Sequence, residues 1–117
     1  MSSSDLRTTE TKIDVIVNKD KSINNGKILD SLLRNVVYRK KDKITLLVYK
    51  NDGEIEFNTV VYNGEKIIFT VSKERGWKNL KVTYVGDRVI KQTTKEYVYY
   101  KLYRETEFIC YIVTYRQ

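Results

Sequence analysis

The stretch "SKERGWKNL", residues 72–80, sets the chain's one tryptophan among three cations, with Lys73, Arg75 and Lys78 around Trp77. An indole face takes an aromatic ring by stacking or a cation by quadrupole attraction, and the flanking ammonium and guanidinium groups can hold phosphate. These four residues form a candidate binding loop. They fit a long turn as well, in which Gly76 relieves backbone strain and Trp77 tucks into the sheet edge, because tryptophan is mostly buried in small domains. Loops carry function disproportionately, so the binding reading stays beside the structural one.

The second concentration of chemistry is "YVYYKLY" and "FICYIVTY", two strand-like runs flanking "RETE". With a four-residue loop, Tyr103 opposes Phe108, Lys101 opposes Cys110 and Tyr99 opposes Ile112, and a two-residue loop keeps the same parity. Tyr97, Tyr99, Tyr103 and Phe108 then share one face with Ile112, a candidate contact face. Val98, Tyr100, Leu102, Ile109, Tyr111 and Val113 form the opposite, core face. So many rings left in water would exceed the apolar patch that monomers usually tolerate. A curled sheet would make them a second small core or a pocket lining; an open sheet would offer them to a protein partner or a second copy, where tyrosine is favoured. A curled monomer is expected ahead of a homodimer, since a net charge of +7 opposes self-association.

Catalytic chemistry is sparse. The chain has no histidine, which removes the commonest general base, the commonest metal ligand and the Ser-His and Cys-His nucleophile pairs. The single cysteine, Cys110, sits in an apolar strand-like segment and reads as a buried, inert thiol; one cysteine allows neither an internal disulfide nor a multi-cysteine zinc site. Glu54 and Glu56 share a strand face and are expected to point to solvent, as carboxylates normally do. No nucleophile, base and orienting group can be named together, so the expectation is no enzyme, no cofactor and no metal.

The excess of 22 Lys and Arg over 15 Asp and Glu attracts polyanions at long range. Its densest cluster, "YRKKDK" at residues 38–43, suits a solvated linker between helix and strand as well as a phosphate patch. With no aromatic motif of the RNA-recognition type, zinc finger or clear helix-turn-helix, nucleic acid is expected to bind weakly and without sequence preference. No apolar run approaches the roughly 20 residues of a membrane span. The start "MSSSDLRTTETK" lacks the apolar centre of a signal peptide.

These residues must be positioned by a small number of elements. Residues 1–11 are polar and aperiodic and read as a disordered tail before a single domain over 12–117. "KIDVIVN" is a strand. Asn24 and Asn25 are candidate N-caps for a helix over about 27–39, whose Ile28, Leu29, Leu32, Leu33 and Val36 lay one apolar stripe. The period then changes to two: strands separated by Asn51-Asp52-Gly53, Asn63-Gly64, the Trp77 loop, Gly86-Asp87 and "RETE" make an antiparallel meander. The predicted class is α+β, one helix packed on a curled antiparallel sheet. Val60, Tyr62, Ile67, Phe69 and Val71 share one sheet face, and Ile55, Phe57, Val61 and Ile68 the other.

Over residues 40–76 the chain resembles a family of small Gram-positive lipoproteins catalogued as a domain of unknown function. Lys40 to Ile44 matches the family's "KKDKI" lead-in to a strand, Tyr62-Asn63-Gly64 with Ile67 its "Y-D/N-G-x-x-I" hairpin, and Lys73-Glu74-Arg75 its "N-T-R-D"-like loop. With the upstream strand and helix, the likeness covers roughly residues 13–80. It implies a binding module at the cell envelope or outside the cell, non-enzymatic and of unknown ligand; Met1 as the native start implies the cytoplasm instead. Family members carry a leader ending in a lipid-modified cysteine and two late cysteines, whereas this sequence has neither the leader nor the second cysteine. The alternatives to that module are an inhibitor or immunity-type protein acting by surface complementarity and a basic nucleic-acid-binding domain.

Overall fold

The computed structural model describes residues 12–75 and 78–117, so the expected tail over 1–11 lies outside the described residues. Strands β1 (Val15–Val17) and β2 (Ile23–Asn24) precede the helix α1 (Lys27–Val37). Seven strands follow: β3 (Asp42–Tyr49), β4 (Ile55–Tyr62), β5 (Ile67–Arg75), β6 (Lys78–Gly86), β7 (Arg88–Thr93), β8 (Tyr97–Arg104) and β9 (Glu107–Arg116). Among the described residues, one helix with these strands is an α+β arrangement. β1 and β3, joined through α1, run parallel, as a strand–helix–strand crossover permits. The other strand pairs are antiparallel, so the large sheet is mixed rather than antiparallel throughout.

The strands divide between two sheets, β2-β1-β3-β4-β5-β6 and β7-β8-β9. The pair Gly86-Asp87, which reads as a hairpin turn, is instead the corner where the chain leaves the first sheet and starts the second. Space explains it. A Cβ on Gly86 would lie 2.6 Å from Leu102 Cδ1 and 2.6 Å from the Tyr103 carbonyl oxygen, so glycine lets β6 and β8 approach where any side chain would hold them apart. The Asp87 N–H donates to that same carbonyl at 2.9 Å, and the Asp87 carboxylate accepts the Glu105 N–H at 3.0 Å. The corner is thereby tied to the β8–β9 turn.

The second sheet crosses the inner face of the first. Cys110 and Ile112 share a recess with Phe69, Val71, Val82 and Tyr84 of β5 and β6, and Ile112 to Thr114 line another with Val48 and Lys50. The Arg116 N–H donates to the Lys21 carbonyl at 2.7 Å, beside β2. Crosswise sheets with a strand-switching corner are a known way of packing two layers. Ile44, Leu46, Val60, Tyr62, Ile67 and Phe69 from one sheet join Val98, Tyr100, Leu102 and Val113 from the other in one buried cluster. The opposite face of the large sheet is diluted with hydroxyls. Thr45, Thr59, Thr70 and Thr83 form a rung across β3 to β6, between a Leu47–Phe57–Ser72 row and a Val61–Ile68–Val85 row.

The helix stripe enters the same core: Leu29 and Leu32 are fully buried, with Ile28, Leu33 and Val36 packed beside them, while Val37 is 75% exposed. Neither asparagine caps it. Asn24 pairs with Ile16 in β2. Asn25 is left-handed (φ 65°) and its side chain donates to the Asp14 carbonyl at 3.2 Å, so Gly26 is left as the N-cap without a side-chain hydrogen bond. Asp30 instead fastens the helix to the second sheet, accepting from Tyr100 Oη at 2.8 Å and Lys91 Nζ at 2.9 Å. Burial and the Asp30 carboxylate push the Tyr100 phenol well above its usual range, so this hydrogen keeps donating at any physiological pH.

Candidate functional site

Two surfaces concentrate the chemistry. The first is the outward face of the small sheet. Burial alternates along β8, with Val98, Tyr100 and Leu102 inward, so Tyr97, Tyr99, Lys101 and Tyr103 point away from the core. Their register partners are Arg88, Ile90 and Gln92 on β7 and Phe108, Tyr111, Thr114 and Arg116 on β9. Five rings make a continuous chain across this face. Tyr97–Tyr99 centroids are 6.3 Å apart, Tyr99–Tyr111 5.6 Å, Tyr111–Phe108 5.1 Å and Phe108–Tyr103 5.7 Å. Tilted and edge-on contacts at such distances are favourable for aromatic pairs and fix each ring against its neighbours. Phe108 is 44% and Tyr111 52% exposed. Three cations and no carboxylate belong to the face so defined.

The expected contact face of Tyr97, Tyr99, Tyr103 and Phe108 is therefore brought together, with one exchange. Ile112, expected beside them, is buried, and Tyr111, expected in the core, is exposed. The register explains the swap: Tyr103 opposes Phe108, but Leu102 opposes Cys110, Lys101 opposes Tyr111 and Tyr99 opposes Thr114. Irregularities between Leu102 and Tyr103 and between Tyr100 and Lys101 each give β9 one extra residue. Such bulges re-aim the side chains that follow. The "RETE" loop itself closes tightly, with Arg104 opposite Glu107.

The second surface is a crevice between the sheets. Along β4, Glu56, Asn58, Val60 and Tyr62 all face inward. At the Val60 end the layers are apolar; at the Glu56 end they open. Glu56, expected in solvent, is only 7% exposed, with Lys50 Nζ at 2.7 Å and Lys73 Nζ at 3.6 Å from Oε2. Asn58 donates from Nδ2 to Glu56 Oε1 at 3.3 Å. Burial opposes ionisation of Glu56, but the hydrogen bonds from Lys50 and Asn58 and the two ammonium charges outweigh it and hold the carboxyl below its usual range. Cys110 lines the same crevice, partly buried, and burial pushes its thiol up to about 11. It stays protonated and unreactive near neutrality.

The candidate loop is flanked by two long, paired antiparallel strands. Arg75 and Lys78 are the last register partners of β5 and β6, and Lys73 belongs to β5, contributing to the Glu56 cluster. Trp77 lies outside the described residues. The sequence did carry a signal for the crevice, since alternation from Val60 and Tyr62 back along the strand puts Asn58 and Glu56 on the core side.

Glu56 leads to a pH-dependent expectation. A carboxyl whose folded pKa lies below the unfolded value stabilises the fold above the unfolded value and loses that contribution as pH falls through the folded one. Glu56→Gln should cost about 1–2 kcal/mol at pH 7, between the worth of exposed and fully buried pairs because both lysines are partly hydrated. The gap to wild type in urea unfolding should narrow as pH drops below the ordinary glutamate value of 4.5. A gap that does not change with pH would refute this account of Glu56.

No family model matches the chain, and no curated protein or solved structure proves similar to it. The lipoprotein resemblance rests on its turn and strand residues alone, and function is read from the two surfaces. Among the described residues no helix is long and apolar enough to cross a membrane.

Proposed function

We propose that this protein is a non-enzymatic binding module that docks an acidic protein surface on the aromatic face of β7-β8-β9. The observation that carries the reading is the chain of five mutually packed rings interleaved with Arg88, Lys101 and Arg116. Tyrosine and arginine are the residues on which interfaces depend most. Rings that already lean on one another lose little freedom when covered, which lowers the entropic cost of association. The charge selects the partner. A second copy would bring three cations against three cations, on a chain already at +7, whereas an acidic surface is drawn in and oriented. Single-stranded nucleic acid meets the same charge, but it stacks on open ring faces, and here the rings are tilted or edge-on at 44° to 69°.

Selection from a random displayed-peptide library tests this. Recovered peptides should be rich in Asp and Glu with interspersed apolar residues. Their affinity should fall at least about tenfold, 1.4 kcal/mol, for Tyr99→Ser and for Lys101→Glu, with both variants still folded by circular dichroism. A set of peptides without acidic bias refutes the reading. So does a wild-type dimer in sedimentation that Tyr99→Ser converts to a monomer, or sub-micromolar oligonucleotide binding that survives about 200 mM salt.

A further inference from the structure

We propose that the crevice between the two sheets binds a small organic acid bearing a hydrogen-bond donor beside its carboxylate, with α-amino and α-hydroxy acids as the two sources of that chemistry. The starting point is Asn58. It is 2% exposed, its Nδ2 is engaged by Glu56, and its Oδ1 has no partner among the described residues. A buried carbonyl oxygen left unpaired is a standing cost, and native structures rarely keep one without a water or ligand that uses it. Asn58 therefore asks for an N–H or O–H donor from outside the chain.

The space is larger than one water. Asn58 and Glu56 line a cavity of about 220 Å³ on one side and one of about 140 Å³ on the other, with Ile112 common to both. The larger holds on the order of seven waters at about 30 Å³ each, and so a molecule of amino-acid size. Its walls divide by chemistry. Phe69, Val71 and Val82 supply an apolar side, and Glu56, Asn58 and Lys73 a polar one. Two ammonium groups around one carboxylate leave a surplus positive charge. Lys50 is committed to Glu56 at 2.7 Å, but Lys73, at 3.6 Å, holds it loosely. An ammonium has three donors, so Lys73 can take a ligand carboxylate without giving up Glu56. The ligand's adjacent N–H or O–H then meets Asn58 Oδ1, and a short branched tail meets the apolar wall. Both lysine side chains are 39% exposed, so the polar end of the crevice is reached from solvent.

Amide-detected NMR titration of the full chain tests this with L-valine, 2-hydroxy-3-methylbutanoate, 3-methylbutanoate and valinamide. Saturable shifts around Asn58, Val71 and Ile112 are expected from one or both of the first two, and which of them binds identifies the source. The third lacks the donor and the fourth the carboxylate; each should bind at least about tenfold more weakly. Lys73→Met should weaken binding by a similar factor. Asn58→Leu should abolish binding in a chain still folded by circular dichroism, because removing the unpaired Oδ1 offsets part of the lost hydrogen bond to Glu56. The proposal is overturned if neither acid shifts these amides at about 20 mM, far above a millimolar Kd. Equal binding of 3-methylbutanoate, or wild-type affinity in Asn58→Leu, overturns it as well.

Discussion

Gly86→Ala is expected to destabilise the protein by about 3 kcal/mol or more, at or above the upper end for overpacking. The new methyl would sit 2.6 Å from Leu102 Cδ1, 2.8 Å from Leu102 Cγ and 2.6 Å from the Tyr103 carbonyl oxygen. A flexible side-chain tip could swing away. These atoms cannot: Leu102 is fully buried, and the carbonyl is backbone already accepting the Asp87 N–H. Relief therefore requires the two sheets to part at the corner that joins β6 to β7. Gly53→Ala is the control for ordinary glycine loss. Gly53 has φ +87° with open space around its Cβ position, so only the left-handed backbone is penalised, by about 1 kcal/mol. Adding Leu102→Ala to Gly86→Ala should recover only part of the loss, because the carbonyl clash persists; a double-mutant cycle in urea measures that coupling. A Gly86→Ala protein within 1 kcal/mol of wild type would mean that the corner does not depend on the missing Cβ.

That corner also shows where sequence reasoning stops. Gly86-Asp87 lies between two alternating segments, and locally nothing separates it from a hairpin turn. What decides is the contact with Leu102, sixteen positions on, which no window over the turn contains. The helix cap fails for a similar reason: Asn25 has the right chemistry, but the Asp14 carbonyl competes for its side chain. Where one face of an element is buried and the other wet, the pattern is unambiguous. The helix stripe and the β3 to β5 faces follow their periodicity directly. "FICYIVTY" has almost no polar residue, so its period of two lacks the contrast that would fix the phase, and two bulges pass unseen. Tyr111 and Ile112 trade places as a result.

The two surfaces were legible to different degrees. Four of the five rings on the outward face follow from parity on β8 and the tight β8–β9 turn. The Glu56 crevice was hidden by a default, that strand carboxylates point to water, although the alternation in "EFNTVVY" placed Glu56 and Asn58 beside Val60 and Tyr62. Departures of this kind, polar residues kept on a core face, are where function is expected to lie.

Leu32→Ala should produce the second large loss, about 2–4 kcal/mol. Leu32 is fully buried beside Leu29, and α1 contacts β3 of the large sheet and β7 of the small one. The deleted side chain leaves a void between elements held elsewhere. Asp30 keeps the helix bound to Tyr100 and Lys91, whereas the one hydrogen of Tyr62 Oη is donated to the Gly64 carbonyl at 2.9 Å, with the Val36 carbonyl 3.4 Å away. A helix tied to the small sheet through Asp30 is restrained from sliding to fill the space, which places the cost towards the high end of the range. Alanine's better helix propensity returns only a few tenths. Val37→Ala, on the same helix but 75% exposed, should change stability by less than about 0.5 kcal/mol. Because the stripe faces the core and the ring chain faces away from it, Leu32→Ala should lower the urea midpoint yet leave the affinity of the selected acidic peptides unchanged in buffer, where the chain is still folded. A loss below about 0.5 kcal/mol would show that the stripe is not core. Weakened peptide binding by folded Leu32→Ala would show instead that the outward face depends on the helix beneath it.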